Sequence, residues 1–153
     1  MISLKSKQQG FTIVELLIVI VVIGILAALV ITTFTGIQKK ARDTERTTDI
    51  KAIHGQVEAY YAQNGNYPTL AHMNDGAADG FRATNMKGLD AEALKDPKGA
   101  AQTLVGAVAA NAYSYDVGPG GCVDGIDAGT GCATYTLTAT LEGGGTFAKS
   151  NLN

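Results

Sequence analysis

Residues 11–31 form an apolar run interrupted only by Thr12, Glu15 and Gly24, and the stretch beyond it narrows the possible folds further. A helix needs about 20 apolar residues to cross the hydrocarbon core of a bilayer, so the run is long enough to span one. After Ile31 the pattern becomes amphipathic, with Ile50, Ile53, Val57 and Tyr60 or Tyr61 recurring at helical spacing among charged residues. Gly36 and Gly55 each cost up to ~1 kcal/mol relative to alanine in a helix interior without ending it. The first convincing stop is Asn64-Gly65-Asn66-Tyr67-Pro68, where glycine and asparagine suit a left-handed cap and proline cannot continue a helix. One helix over residues 11–63 is therefore expected, ~80 Å long at 1.5 Å per residue. A single small domain cannot bury such a rod. Its apolar half must be covered by lipid or by other copies of itself.

Glu15 is the only ionisable side chain in the run. A carboxylate inside a span is costly, so one that persists there calls for a partner. A cut after Gly10 would supply a cation, because Phe11 would then carry a free amine that could meet Glu15 of a neighbouring copy. The run is preceded by a short leader with Lys5 and Lys7, and the motif reads Gly10-Phe11-Thr12-Ile13-Val14-Glu15-Leu16. Leader and motif resemble those of the type IV pilin family, including the pseudopilins of type II secretion. The resemblance is strongest over residues 5–70. It implies that a prepilin peptidase cuts between Gly10 and Phe11 and methylates the new amine. It also implies that Glu15 serves assembly, and that an assembly ATPase and an inner-membrane platform protein drive the subunit into a helical homopolymer. Unlike a secretory signal, whose apolar region is usually about 7 to 15 residues and is removed, this run stays in the mature protein. Two plainer readings compete: a single-pass anchor with Glu15 snorkelling to the interface, and a signal peptide cut near Ala27 or Ala28. Thr32 and Thr33 stand where many pilins carry a proline.

Only 17% of residues are charged, below the ~25% usual for soluble domains, and the apolar run accounts for part of the deficit. The formal charge of −2 becomes −4 on the side chains once Lys5 and Lys7 are removed, so nucleic acid is no obligatory partner. Lys39, Lys40, Arg42 and Arg46 alternate with Asp43, Glu45 and Asp49. With Lys39 and Asp43 at i, i+4 spacing, this stretch reads as a solvated helix face. Lys5 and Lys7 keep the leader in the cytoplasm by the positive-inside tendency, which places the remainder outside. In that oxidising compartment Cys122 and Cys132 are consistent with a disulfide. Closing a loop of this length contributes on the order of 3 kcal/mol.

Residues 64–111 read as a loop-rich connection with a short helix around 89–95, ending before Asp96-Pro97. Residues 113–117 have strand character. Residues 133–141 form the clearest strand, since Tyr135, Leu137, Ala139 and Leu141 alternate with Thr134, Thr136, Thr138 and Thr140. The three glycines at 143–145 would turn the chain into a last strand near 146–149. The expected class is α+β, an antiparallel sheet on the amphipathic half of the helix, as in the pilin fold. The domains are then a cleaved leader at 1–10, a transmembrane or filament-core segment at 11–33 and a globular part at 34–153. The globular part comprises helix to about 63, loops over 64–111 and sheet over 112–153.

Some pseudopilins bind calcium near the region of Asp116, Asp124 and Asp127, which makes these three calcium candidates by resemblance; solvated turn aspartates are the alternative. His54 and Glu58 share i, i+4 spacing but lack a third ligand and read as helix surface. His72 falls in a loop. Tyr60, Tyr61 and Tyr67 would anchor the sheet to the helix. No nucleophile with a base and no phosphate-cradling loop is recognisable, so an enzyme is not expected. The expected function is that of a pilin, a structural subunit polymerising into a type IV pilus-like filament after cleavage. The alternatives are a type II secretion pseudopilin and a monomeric membrane-tethered binding module. Adhesion, motility, DNA uptake and secretion all fit such an anchor.

Overall fold

A computed structural model describes residues 10–123 and 131–153. The chain separates into two units, Met1–Gln38 and Lys39–Asn153. Helix α1, Ile13–Asn64, supplies residues to both.

In the first unit the large apolar side chains of α1 lie open. Their exposure runs from 48% at Val22 to 89% at Phe11, just ahead of the helix, and Ile37 is still 61% exposed. β-branched Ile and Val are mediocre helix formers in water. A segment that keeps every backbone hydrogen bond internal is nonetheless what a lipid environment requires. Thr32 and Thr33 both donate their hydroxyls to the Leu29 carbonyl, each at 3.0 Å, and Thr35 donates to that of Thr32 at 3.0 Å. These hydroxyls are thereby satisfied within the helix.

In the second unit α1 buries a stripe of Arg46, Ile50, Ile53, Val57 and Tyr60, spaced four, three, four and three residues apart. The expected apolar positions are present, with an arginine at their head. The helix stops where the sequence signals it. Gly65 takes φ +73°, and its N–H donates to the Tyr61 carbonyl at 2.7 Å, a left-handed cap that glycine adopts without a Cβ penalty.

The sheet has three antiparallel strands in the order β1 (Tyr113–Gly118), β2 (Thr134–Thr140) and β3 (Thr146–Ser150). Tyr115 pairs with Leu137, and Leu137 with Lys149. Tyr113, Tyr115, Tyr135, Leu137 and Ala139 are buried with Ile50, Ile53 and Val57 in the core. Alternation along β2 is broken at Thr138, which is 7% exposed rather than solvated. The segment from Val105 to Ala109 explains this, since Val105 bridges Ser114 in parallel and the Ala109 carbonyl accepts the Thr140 hydroxyl at 3.2 Å.

Between helix and sheet, residues expected as loop hold helices α2 (Leu70–Asn74) and α3 (Phe81–Asn85), while the short helix expected around 89–95 is present as a 3-10 turn, Ala91–Leu94. Each is short, and a side-chain acceptor opens it: the N-cap residue itself in α2 and the 3-10 turn, and Asp75, from five residues before Gly80, in α3. The Thr69 hydroxyl accepts His72 N–H, the Asp75 carboxylate accepts Phe81 N–H, and Asp90 accepts Glu92 N–H. His72 therefore sits in α2, stacked on Phe81 with ring centroids 4.3 Å apart.

Candidate assembly site and its supporting contacts

Helix α1 opens on a reciprocal pair of hydrogen bonds. The Thr12 hydroxyl accepts the Glu15 backbone N–H at 3.2 Å, while the Glu15 carboxylate accepts the Thr12 N–H at 2.8 Å and the Thr12 hydroxyl at 2.7 Å. This is a capping box, in which each residue's side-chain oxygen accepts the otherwise orphaned N–H of the other at the helix start. Gly10 and Phe11 precede it, both exposed. A cut between them would leave the box intact, with the new amine one residue ahead of Thr12. Reading Glu15 only as a charge in need of a cation missed this local partner, although the Thr-Xaa-Xaa-Glu spacing displays it.

Further along the same unit, Leu29, Val30, Thr33, Phe34 and Ile37 line a shallow, mostly apolar groove of about 330 Å³. Beyond the helix's own backbone, nothing lies within 4 Å of where a Cβ would stand on Gly24 or Gly36, so both positions leave the helix surface open to close approach.

Comparison with known proteins bears on this N-terminal unit. Residues 5–31 match the family described as the prokaryotic N-terminal methylation motif. Over 66 residues the chain is 38% identical to the type II secretion system core protein G of Dickeya chrysanthemi, covering 43% of each protein. Over 64 residues it is 41% identical to core protein G of Escherichia coli, covering 42% of this chain and 44% of that protein. It is also 32% identical over 68 residues to the type IV major pilin protein PilA of Myxococcus xanthus, covering 44% of this chain and 31% of PilA. Over these stretches the chain is similar to pilins and pseudopilins. The alignments span less than half the length of these relatives. No solved structure matches the chain.

In this pilin-like chain the amphipathic half of α1 is fastened to the sheet by charges that sequence reading placed in solvent. Arg46 is 1% exposed. It is bidentate to the equally buried Asp96, with Nε to Oδ2 at 2.7 Å and Nη2 to Oδ1 at 3.0 Å, and its Nη1 reaches Asp43 at 2.8 Å and Glu142 at 3.1 Å. The solvated-face expectation thus fails at Arg46 and at half-buried Arg42, which forms a two-point pair with Glu142 at 2.6 and 2.8 Å. Lys98 adds a third cation to Glu142 at 2.9 Å. Asp43 accepts the backbone N–H groups of Glu142 and Gly143, both at 2.8 Å, and so ties the β2–β3 turn to α1. Gly144 and Gly145 take φ of +101° and +78° in that turn.

The electrostatics follow from this geometry. Arg42, then Lys98, hold the Glu142 carboxyl well below the usual carboxylate range. Burial works against the charge on Asp43, but the Glu142 and Gly143 N–H groups and Arg46 outweigh it and bring its pKa down. Asp96 contributes most to raising the Arg46 guanidinium. Asp49 runs the other way. It accepts the Tyr113 hydroxyl at 2.7 Å, yet burial pushes it up, with Glu45, Asp96 and Asp90 adding to the effect.

Glu58 serves as an anchor for the sheet, accepting the Tyr135 hydroxyl at 2.7 Å and that of Tyr67 at 3.4 Å. His54 Nε2 lies 3.1 Å from the Ser150 carbonyl. These two residues read as helix surface in sequence but join α1 to β2 and β3. Tyr67 stacks on Tyr61 at 4.4 Å and meets Tyr135 edge-on at 4.6 Å, consistent with tyrosines that join helix and sheet. Cys122 and Cys132 are disulfide-bonded, and the Cys132 carbonyl accepts Tyr67 N–H at 2.9 Å. Of the calcium candidates, Asp116 lies exposed on β1, whereas Asp124 and Asp127 lie outside the described residues.

Proposed function

We propose that this chain is a structural subunit of a helical filament of the type IV pilus and type II secretion class. The carrying observation is a span-length helical segment whose apolar side chains are all open, headed by the Gly10-Phe11-Thr12-Ile13-Val14-Glu15 motif. Before assembly the segment lies as a single pass in the cytoplasmic membrane. Prepilin peptidase removes residues 1–10 and methylates Phe11, and an ATPase with a membrane platform protein moves the subunit into the fibre. Lipid and neighbouring helices are equally apolar, so packing and polar contacts must set the register of the bundle. Glu15, held by Thr12 at the first turn, meets the Phe11 amine of an adjacent copy in that role. Repetition by a non-closing screw generates a filament with the sheet units outside.

Identity to core protein G of 38–41%, against 32% to PilA, favours the pseudopilin branch of this reading. The test is Glu15→Ala. Processed, membrane-inserted variant protein is expected to fail to polymerise, and normal polymerisation would refute the charge-register role.

A further inference from the structure

Four cations follow the apolar run, and the structure commits two of them. Arg42 and Arg46 are turned onto Glu142 and Asp96. Lys39 and Lys40 remain exposed, and among the described residues neither ammonium has an ion-pair or hydrogen-bond partner. The acidic side chain within one helical turn of both is Asp43. Its Oδ1 already takes Arg46 and Glu142 N–H, and its Oδ2 takes Gly143 N–H. The i, i+4 partner that sequence offers Lys39 is therefore occupied.

Position gives the two lysines a different counter-charge. Exposed apolar side chains continue past Ile31 to Phe34 and Ile37, and the lysines come two and three residues after the last of them. The segment from Phe11 to Ile37 is about 40 Å long as a helix, which exceeds the ~30 Å hydrocarbon core and approaches the thickness that includes headgroups. With Glu15 near one boundary, the far end lies in the headgroup layer. Lysine stems reach along apolar surface while the ammonium stays in the polar zone, and an ammonium is a point-charge binder of phosphate. Cations on the translocated side oppose the orientation set by Lys5 and Lys7, and anionic headgroups there would offset that effect.

We propose that Lys39 and Lys40 bind the phosphates of anionic phospholipid headgroups at the outer membrane–water boundary, fixing the depth at which the subunit waits before assembly. This rests on the membrane-span reading of residues 11–31. Near an anionic leaflet each lysine contributes about fivefold to membrane attraction.

The experiment uses the full chain in phosphatidylcholine vesicles containing trace spin-labelled phosphatidylglycerol or trace spin-labelled phosphatidylcholine. The motionally restricted component of each label reports lipid held against the protein. Wild type is expected to favour phosphatidylglycerol severalfold over phosphatidylcholine. The preference should fall severalfold in the Lys39→Gln/Lys40→Gln variant and to near parity in ~1 M salt, where the screening length is about 3 Å. Lys5→Gln/Lys7→Gln should remove no more than the leader's own share and leave the Lys39 and Lys40 contribution in place. Equal association of the two labels with wild type would overturn the proposal, as would a preference that disappears with the leader lysines instead. A preference that survives in Lys39→Gln/Lys40→Gln while concentration-dependent self-association weakens would also overturn it and assign the pair to a second copy. Absence of a restricted component for either label would overturn the membrane span as well, which separates the two failures.

Discussion

Replacing Arg46 by alanine should be the most damaging single substitution in the charge network. The change removes both hydrogen bonds to Asp96 and the contacts to Asp43 and Glu142. Asp96 is left 2% exposed with the Lys98 N–H, at 2.8 Å, as its remaining hydrogen-bond donor. Breaking a buried pair from one side costs about 3–5 kcal/mol, because the surviving charge has neither water nor counter-ion. Unfolding free energies are about 5–15 kcal/mol, so the loss would consume a large part of the total. At about 4–8 °C per kcal/mol for a domain near 100 residues, Tm should fall by roughly 15–30 °C, measured by near-ultraviolet circular dichroism on the full chain in detergent. Removing both charges distinguishes the unpaired-ion penalty from simple loss of packing. Arg46→Met/Asp96→Leu leaves no buried ion unpaired and should recover most of the loss. A fall below about 1 kcal/mol for Arg46→Ala, or a double variant no more stable than the single, would refute the reasoning.

Other expectations concern the same unit. Glu142 and Asp43 have depressed folded-state pKa values, so their stabilisation is fully present above their unfolded values of roughly 4 and is lost as pH falls through the folded ones. Asp49, pushed upward, offsets part of this by gaining its proton more readily when folded. Tm measured from pH 7 down to pH 3 should therefore decline, and Glu142→Gln should flatten the curve while lowering its neutral plateau. A profile unchanged by that substitution would contradict the assignment. Cys122→Ser/Cys132→Ser should lower stability by on the order of 3 kcal/mol on the loop-entropy model, read by urea unfolding; an unchanged midpoint would contradict it.

The parts of this fold legible in the sequence are those governed by local rules. The apolar run, the glycine stop at Gly65 and the alternation of β2 each depend on residues within a few positions of one another. The disulfide was readable because two cysteines in an oxidising compartment leave one pairing. The charge network was not, because Arg46 and Asp96 stand 50 residues apart and charged residues at helical spacing look solvated until a partner arrives from elsewhere. Glu58 and His54 were misjudged for the same reason, since the groups they meet, Tyr135 and Ser150, come from the sheet. Helices α2 and α3 span five residues each, too short to show a periodicity. At Thr12 and Glu15 the signal is present and local, but a lone carboxylate in an apolar span carries a charge signal stronger than its cap spacing.

Mass analysis of the native protein recovered from isolated filaments bears most directly on the claim that the open half of α1 is buried among identical copies. The account requires chains that begin at Phe11, carry one methyl group on its amine and are the fibre's repeating component. Chains that still begin at Met1, recovered as dispersed single copies from membranes in which the assembly apparatus is active, would contradict it.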